Sequence, residues 1–364
     1  MGFRCGIVGL PNVGKSTIFN ALTAAGAEVA NYRFCTIDPN VGIVPVPDKR
    51  LERLAQLIHP KKVVPTTLEF FDIAGLVKGA HQGEGLGNQF LDHIRSVDAI
   101  GHAVRCFEDE NVAHEFGSID PVRDVDVVNT ELLLADLQTL ERRMAKSEKL
   151  RRVGSKEADL ELGIYREIQA LLNQGKNVRN LHLTGEREAL FSDLHLLVAK
   201  PLFYMVNVDQ KELRGDGHCL KAVMGWAEKE GIKAVVICGD LEAELSELKE
   251  EERAEFRREL GLEGASLDRL IQVGYEILDL ITFYTTVSSE LKAWTVRKGT
   301  LALKAAGKIH SDMERGFIRA EIVSFSDFVT CGSEQAAKER GLLRSEGKDH
   351  VVQDGDIIHF RFNV

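Results

Sequence analysis

The chain has 364 residues, 44% of them hydrophobic and 28% charged, with a formal net charge of −10. This length exceeds one ordinary core, so two or three domains, or one domain carrying insertions, are expected; the acidic balance argues against a surface coated in basic residues for nonspecific nucleic-acid binding and leaves only local patches. Six cysteines without a CxxC pair suggest neither a disulfide framework nor a zinc site, the start Met1 to Leu10 lacks a leader pattern, and no window approaches the ~18 apolar residues of a membrane span, so a protein of the reducing cytoplasm is expected.

A short apolar run, Arg4 to Leu10, ends in glycine, and a helical pattern with Ile18, Phe19 and Leu22 on one face follows from Gly14 to Ala25. Between them Gly9-Leu10-Pro11-Asn12-Val13-Gly14-Lys15-Ser16 matches GxxxxGK[ST], which belongs at such a strand-to-helix junction. Its glycines let backbone N–H groups wrap a phosphate at a helix N-terminus. Lys15 is then the residue that reaches the β- and γ-phosphates, Ser16 a magnesium ligand, and Asn12 to Thr17 the nucleotide cradle. Next comes Asn31 to Asn40, with little periodicity and Thr36 in its middle. A switch loop needs such a threonine to complete the magnesium shell when the γ-phosphate is present.

Strand-length runs follow at Val41 to Val46 and Thr67 to Ile73, the second leading into Asp72-Ile73-Ala74-Gly75. The Asp72 carboxylate at a strand end can support magnesium, and the Gly75 amide can contact the γ-phosphate. Four glycines from Gly79 to Gly87 then suit a second switch or a plain solvent loop. Further strands are expected at Ala99 to Val104, Leu202 to Val208 and Ala234 to Cys238, mostly separated by helical patterns, so the fold class is α/β with covering helices. From about Pro121 to Lys200 leucines and charges dominate. Leu133, Leu137, Leu140 and Met144 recur as in a packed helix pair. Arg142, Arg143, Lys146, Lys149, Arg151 and Arg152 crowd one end, either as a solvated tip or as a phosphate-backbone contact surface. From about Ile281 β character returns, with Gln353 to Asp356 placed as a hairpin turn.

Taken together, GLPNVGKST, the NYxFCTIDPN segment, DIAGLVKGAHQGEGLGNQFL, KIHSDMERGFIRAEI and VVQDGDIIHFRFNV make essentially the whole chain resemble the YchF/Obg-like ATPases. The resemblance implies a Ras-like P-loop nucleotide domain over residues 1–125 and 200–280, an inserted α-helical coiled-coil domain over 126–199, and a C-terminal β-grasp-like TGS domain over 281–364. It implies hydrolysis of ATP in preference to GTP with Mg2+, and a ribosome or rRNA as partner. A monomer that engages neither DNA nor membrane is expected.

Base choice can be read on the residues. Where a guanine-reading Asn-Lys-x-Asp would stand, the chain has Asn207-Val208-Asp209-Gln210; Gln210 offers one acceptor where a carboxylate would take two guanine N–H groups, which breaks the guanine signal. Asn207 and Val208 remain at the base, with Phe107 as an apolar wall or a core residue. The family usually carries an acidic residue at Gln210 and proline at Arg33, and Gly239-Asp240 replaces its usual small pair. Leu76 stands where Ras-like enzymes place a water-orienting glutamine. His81 and His114 are the histidine candidates for that work, and the resemblance favours His114. In related potassium-dependent GTPases an asparagine at the position of Asn12 holds K+, which makes K+ an expected activator. Two other readings stay open: a P-loop kinase for a small metabolite, and a nucleotide-gated scaffold with incidental hydrolysis.

Overall fold

The computed structural model describes the chain apart from residues 1–2, 28–39, 74, 76–78, 80–85, 177, 180, 182, 216, 263, 288 and 364. In chain order its elements begin β1 (Phe3–Val8), α1 (Lys15–Ala27), β2 (Val41–Pro45), α2 (Lys49–Ile58), β3 (Lys62–Val64), β4 (Thr67–Asp72), α3 (Leu86–Ser96) and β5 (Ala99–Cys106). Three helices follow, α4 (Pro121–Arg152), α5 (Lys156–Asn173) and α6 (Glu186–Asp193), then β6 (Leu202–Val208), α7 (His218–Glu230), β7 (Lys233–Ile237) and α8 (Gly239–Ser246). The last strands are β8 (Leu280–Val287), β9 (Glu290–Arg297), β10 (Phe317–Val323), β11 (Arg344–Glu346) and β12 (Ile357–Phe362).

The chain divides into two compact units, residues 1–42 with 69–270 and residues 43–68 with 271–364. In the first, a six-stranded sheet runs in the order β2-β4-β1-β5-β6-β7, and β1, β5, β6 and β7 pair in parallel. Its central strands β5 and β6 are buried along their whole length, as parallel strands covered on both faces must be. The α/β expectation therefore holds, and the strands lie within a residue or two of where the apolar runs place them.

The helical region grows out of this unit. Asp120 caps α4 by accepting the Arg123 N–H at 3.1 Å, Pro121 occupies its first turn, and Lys149, Arg151 and Arg152 complement the dipole at its end. At 32 residues α4 is about 48 Å long. Ser155 caps the returning α5. Leu140, Ile164, Tyr165, Ile168 and Leu172 form the core of the pair, with Leu137 and Met144 against them. Leu133, expected in this stripe, is only half-buried; Leu132 takes the buried position, along with Val125, Val128 and Ala135.

In the second unit a mixed sheet runs β11-β10-β12-β8-β9-β3, with β8 and β9 antiparallel and β12 parallel to β8. Alternation sends Phe283, Ile322 and Ile358 to one core with Ala302, Ala305 and Ala306 of the helix Ala302–Ile309. Tyr284, Val323 and Ile357 face the other core with Leu51 and Leu54 of α2. Residues 43–68, which lie in sequence between the phosphate loop and the Asp72-x-x-Gly75 motif, thus belong with the C-terminal unit. The Arg50 guanidinium pairs with both Asp354 oxygens at 2.8 and 3.2 Å, and the Tyr284 hydroxyl donates to Asp48. The turn at Gln353 to Asp356 forms, closed by Asp356 N–H to the Gln353 carbonyl at 3.2 Å with Gly355 at φ 92°. It does not make a hairpin: Val351 bridges Leu301, whereas β12 lies between β10 and β8.

Candidate nucleotide site

The motif residues collect at the carboxyl ends of the parallel strands, where open α/β sheets bind ligands. The phosphate loop leaves β1, Asp72 ends β4, Arg105 to Phe107 leave β5, Asn207 is near the end of β6, and Gly239 starts α8 after β7. Lys15 begins α1, 8% exposed, and its ammonium donates to the Leu10 carbonyl at 2.8 Å across the loop it closes. Burial lowers its pKa, opposed by the charge of Asp72. Ser16 Oγ donates to Asp72 Oδ2 at 2.8 Å. Gly14 has φ 86°, and a Cβ there would collide with the Asn207 side-chain amide. Gly75 packs so closely that a Cβ would stand 3.2 Å from Lys15 Nζ and 3.3 Å from the Pro11 nitrogen. The Asp72-x-x-Gly75 motif therefore lies directly over the phosphate loop.

Asn207, 5% exposed, ties two loops together: its Nδ2 donates to the Val13 carbonyl at 3.1 Å and its Oδ1 accepts the Gly239 N–H at 2.9 Å. Val208 is buried in β6, and the exposed Gln210 opens a short 3-10 turn. Asp209 accepts the Glu108 N–H at 3.4 Å.

Arg105 is a residue that sequence reasoning missed. Only 2% exposed, it donates to the carbonyls of Phe107, Asp109, Val112 and Asn12 at 3.0 to 3.4 Å and stacks on the Phe107 ring at 4.4 Å. It fastens the loop after β5 to the phosphate loop. Asn12, at φ 60°, adds a second tie through Nδ2 to the Ala113 carbonyl at 3.1 Å. Thr17 is half-buried in the first turn of α1. On β5, burial and the nearby Lys15 push the His102 imidazole down to about 3, so it stays neutral.

His114 sits close by with both ring nitrogens engaged. Nδ1 accepts the Phe116 N–H at 3.1 Å, which leaves Nε2 to donate to Asp124 Oδ2 at 2.7 Å; the two side chains are 7% and 4% exposed. In this arrangement the ring joins the loop to α4 and presents no open nitrogen. Thr36, Leu76 and His81 lie outside the described residues.

The donor set suits a hard cation. A hydroxyl and a carboxylate 2.8 Å apart are the oxygen ligands that Mg2+ takes alongside phosphate oxygens. Among the described residues no group of three or more His, Cys, Asp or Glu side chains gathers, so the protein supplies part of a shell.

The phosphate-binding half matches the family model described as a 50S ribosome-binding GTPase over residues 4–149. A C-terminal YchF-GTPase model, described as a protein of unknown function, matches residues 280–363. The chain is 51% identical to the ribosome-binding ATPase YchF of Escherichia coli O157:H7 and 50% identical to that of Bacillus subtilis, covering all of each. The chain belongs to the YchF family. A solved YchF GTPase of Schizosaccharomyces pombe, 37% identical, superposes with a TM-score of 0.89 over 99% of this chain and 98% of that one. YchF membership accounts for a phosphate loop, a helical region and a C-terminal sheet in one chain. Among the described residues no helix is long and apolar enough to cross a membrane.

Proposed function

We propose that this chain is a cytoplasmic, monomeric ATPase switch that hydrolyses ATP to ADP and phosphate with Mg2+ and docks on the ribosome. The carrying observation is the junction of Lys15, Ser16, Asp72 and Gly75, which brings a phosphate-binding lysine, two magnesium-type oxygens and the glycine of a switch motif into contact. Asn12, Val13, Gly14, Lys15, Ser16 and Thr17 wrap the phosphates. Lys15 neutralises charge that develops in phosphoryl transfer, and the Gly75 amide answers the terminal phosphate. Ser16 and Asp72 would hold Mg2+, joined by Thr36, and the ion would supply positive charge to offset that of the phosphates.

Adenine is the preferred base. Asn207 and Val208 border it, with Phe107 as an apolar wall, and Gln210 lacks the paired acceptors guanine requires. Asn12 spends its amide nitrogen on Ala113, so Oδ1 is the atom left for K+. His114 shapes the loop beside the nucleotide; to position water it would first have to leave Asp124. That engagement favours a second reading, a nucleotide-gated scaffold with slow hydrolysis. The exposed basic residues Arg142, Lys146, Lys149 and Arg152 on the helical arm are the proposed rRNA contact; DNA is not an expected partner.

Phosphate release from ATP and GTP, measured with Mg2+ or EDTA, in potassium or sodium, and with or without ribosomes, tests this reading. ATP turnover that requires Mg2+, exceeds GTP turnover and responds to ribosomes is expected. Equal or faster GTP turnover would reverse the base assignment, and equal rates in the two salts would remove K+.

A further inference from the structure

We propose that Glu131 is the positioning residue that fastens the segment beside Lys15 to α4, so that ATP turnover and the nucleotide response of the helical arm share one hydrogen bond. Glu131 is 3% exposed, and its Oε1 accepts the Gly79 N–H at 2.7 Å across 52 residues of sequence. A carboxylate is costly to bury unless hydrogen-bonded, and a charged acceptor makes a bond roughly twice as strong as a neutral one. The position lies on the buried side of α4, near Val128 and Leu132.

The bond links two described sites. Gly75 rests against Lys15 Nζ. Four residue steps separate it from Gly79, a span of at most about 14 Å. Gly79 has φ 89°, and a Cβ there would meet nothing within 4 Å. Glycine is needed at this point for the backbone turn that presents its N–H, not for space. On the other side α4 continues from Glu131 to Arg152, about 32 Å at 1.5 Å per residue, and ends in the exposed basic residues. Asp124 and Asp136, the other buried carboxylates of α4, hold His114 and the amides of Leu197 and Val198. Of the three, Glu131 is the one aimed at the chain leaving Asp72.

The inference rests on the reading of residues 75 and 79 as parts that answer the terminal phosphate, and the experiment separates the two. In the full chain, Glu131→Leu and Glu131→Gln are assayed for ATP turnover, for hydrogen exchange at the Gly79 amide with ADP or a non-hydrolysable ATP analogue, and for ribosome cosedimentation with each nucleotide. Glu131→Leu should lower kcat about tenfold with KM within about twofold, speed exchange at Gly79 about tenfold, and equalise ribosome binding between the two nucleotides. Glu131→Gln, whose carbonyl still accepts the N–H, should recover most of each loss. A folded Glu131→Leu with wild-type kcat and wild-type exchange overturns the proposal. If that variant does not fold, the wild-type chain decides: unprotected exchange at Gly79 with either nucleotide overturns it. Slow exchange that is identical with both nucleotides overturns the switch reading, and the coupling with it.

Discussion

The nucleotide end of the first unit and the far end of its helical arm use charge in opposite ways. At the nucleotide end Lys15, Arg105, Asp124 and Glu131 are each under 10% exposed, and each is met by a backbone or side-chain partner. At the arm tip Arg142, Lys146, Lys149 and Arg152 are exposed, Arg151 reaches Asp159 only at 3.9 Å, and Val153 is 82% exposed. Buried, satisfied charge fixes geometry, because leaving a partner unmade there is expensive. Exposed charge contributes little to folding and remains available to a polyanion.

The sharpest way to break this contrast is Lys15→Ala. It should leave the fold intact and lower ATP turnover on the order of 10³-fold in a phosphate-release assay, while ribosome association at the tip persists; loss of both together would mean that the two ends do not work separately. Next comes Asp136, whose carboxyl is pushed up to about 6 because burial outweighs the N–H groups of Val198 and Leu197. Its folded-state pKa lies above the unfolded value, so the contribution is fully present below about pH 4 and is lost as pH rises through 6. Relative to Asp136→Asn, wild-type stability in urea melts should therefore fall by about 3 kcal/mol between pH 4 and pH 7. A flat difference would mean that the carboxylate is not desolvated.

Asn207→Ala strands the Val13 carbonyl and the Gly239 N–H. A loss of about 2 kcal/mol in unfolding free energy is expected, together with weaker nucleotide binding in a fluorescence titration. The smallest effect belongs to the tip. Replacing Arg142, Lys146, Lys149 and Arg152 by Gln should change stability by less than about 1 kcal/mol and turnover by less than about twofold. It should weaken ribosome cosedimentation about tenfold at low salt and flatten its salt dependence. An unchanged salt slope would place the contact elsewhere.

What could be read in the sequence follows the same division between local and distant. The phosphate loop is eight contiguous residues at a strand-to-helix junction, and its chemistry is written in their order. Asp72 and Gly75 are legible for the same reason. Arg105 was not, because its partners are carbonyls of Asn12, Phe107, Asp109 and Val112, which any residue supplies. His114 could be singled out as a histidine near a strand end, but its bond to Asp124 depends on where α4 begins. The turn at Gln353 to Asp356 was correct as local chemistry, and the expected hairpin failed because strand pairing is decided by distant partners. Residues 43–68 lie in sequence between two nucleotide motifs, and the packing of Leu51 and Leu54 against Tyr284 and Ile357 assigns them to the second unit.

That discontinuity has a consequence for how the protein is made. α2 and β3 emerge during synthesis long before β8 and β9, the strands that complete their sheet and core. Some 200 residues separate the two segments of the second unit, a wait of about 10–40 s at ~5–20 residues per second. Throughout that interval Leu51 and Leu54 have no permanent core, and the edge of β3 has no neighbour. The nascent chain must carry an unfinished piece of its last unit while the first unit folds, a natural point for a chaperone to act.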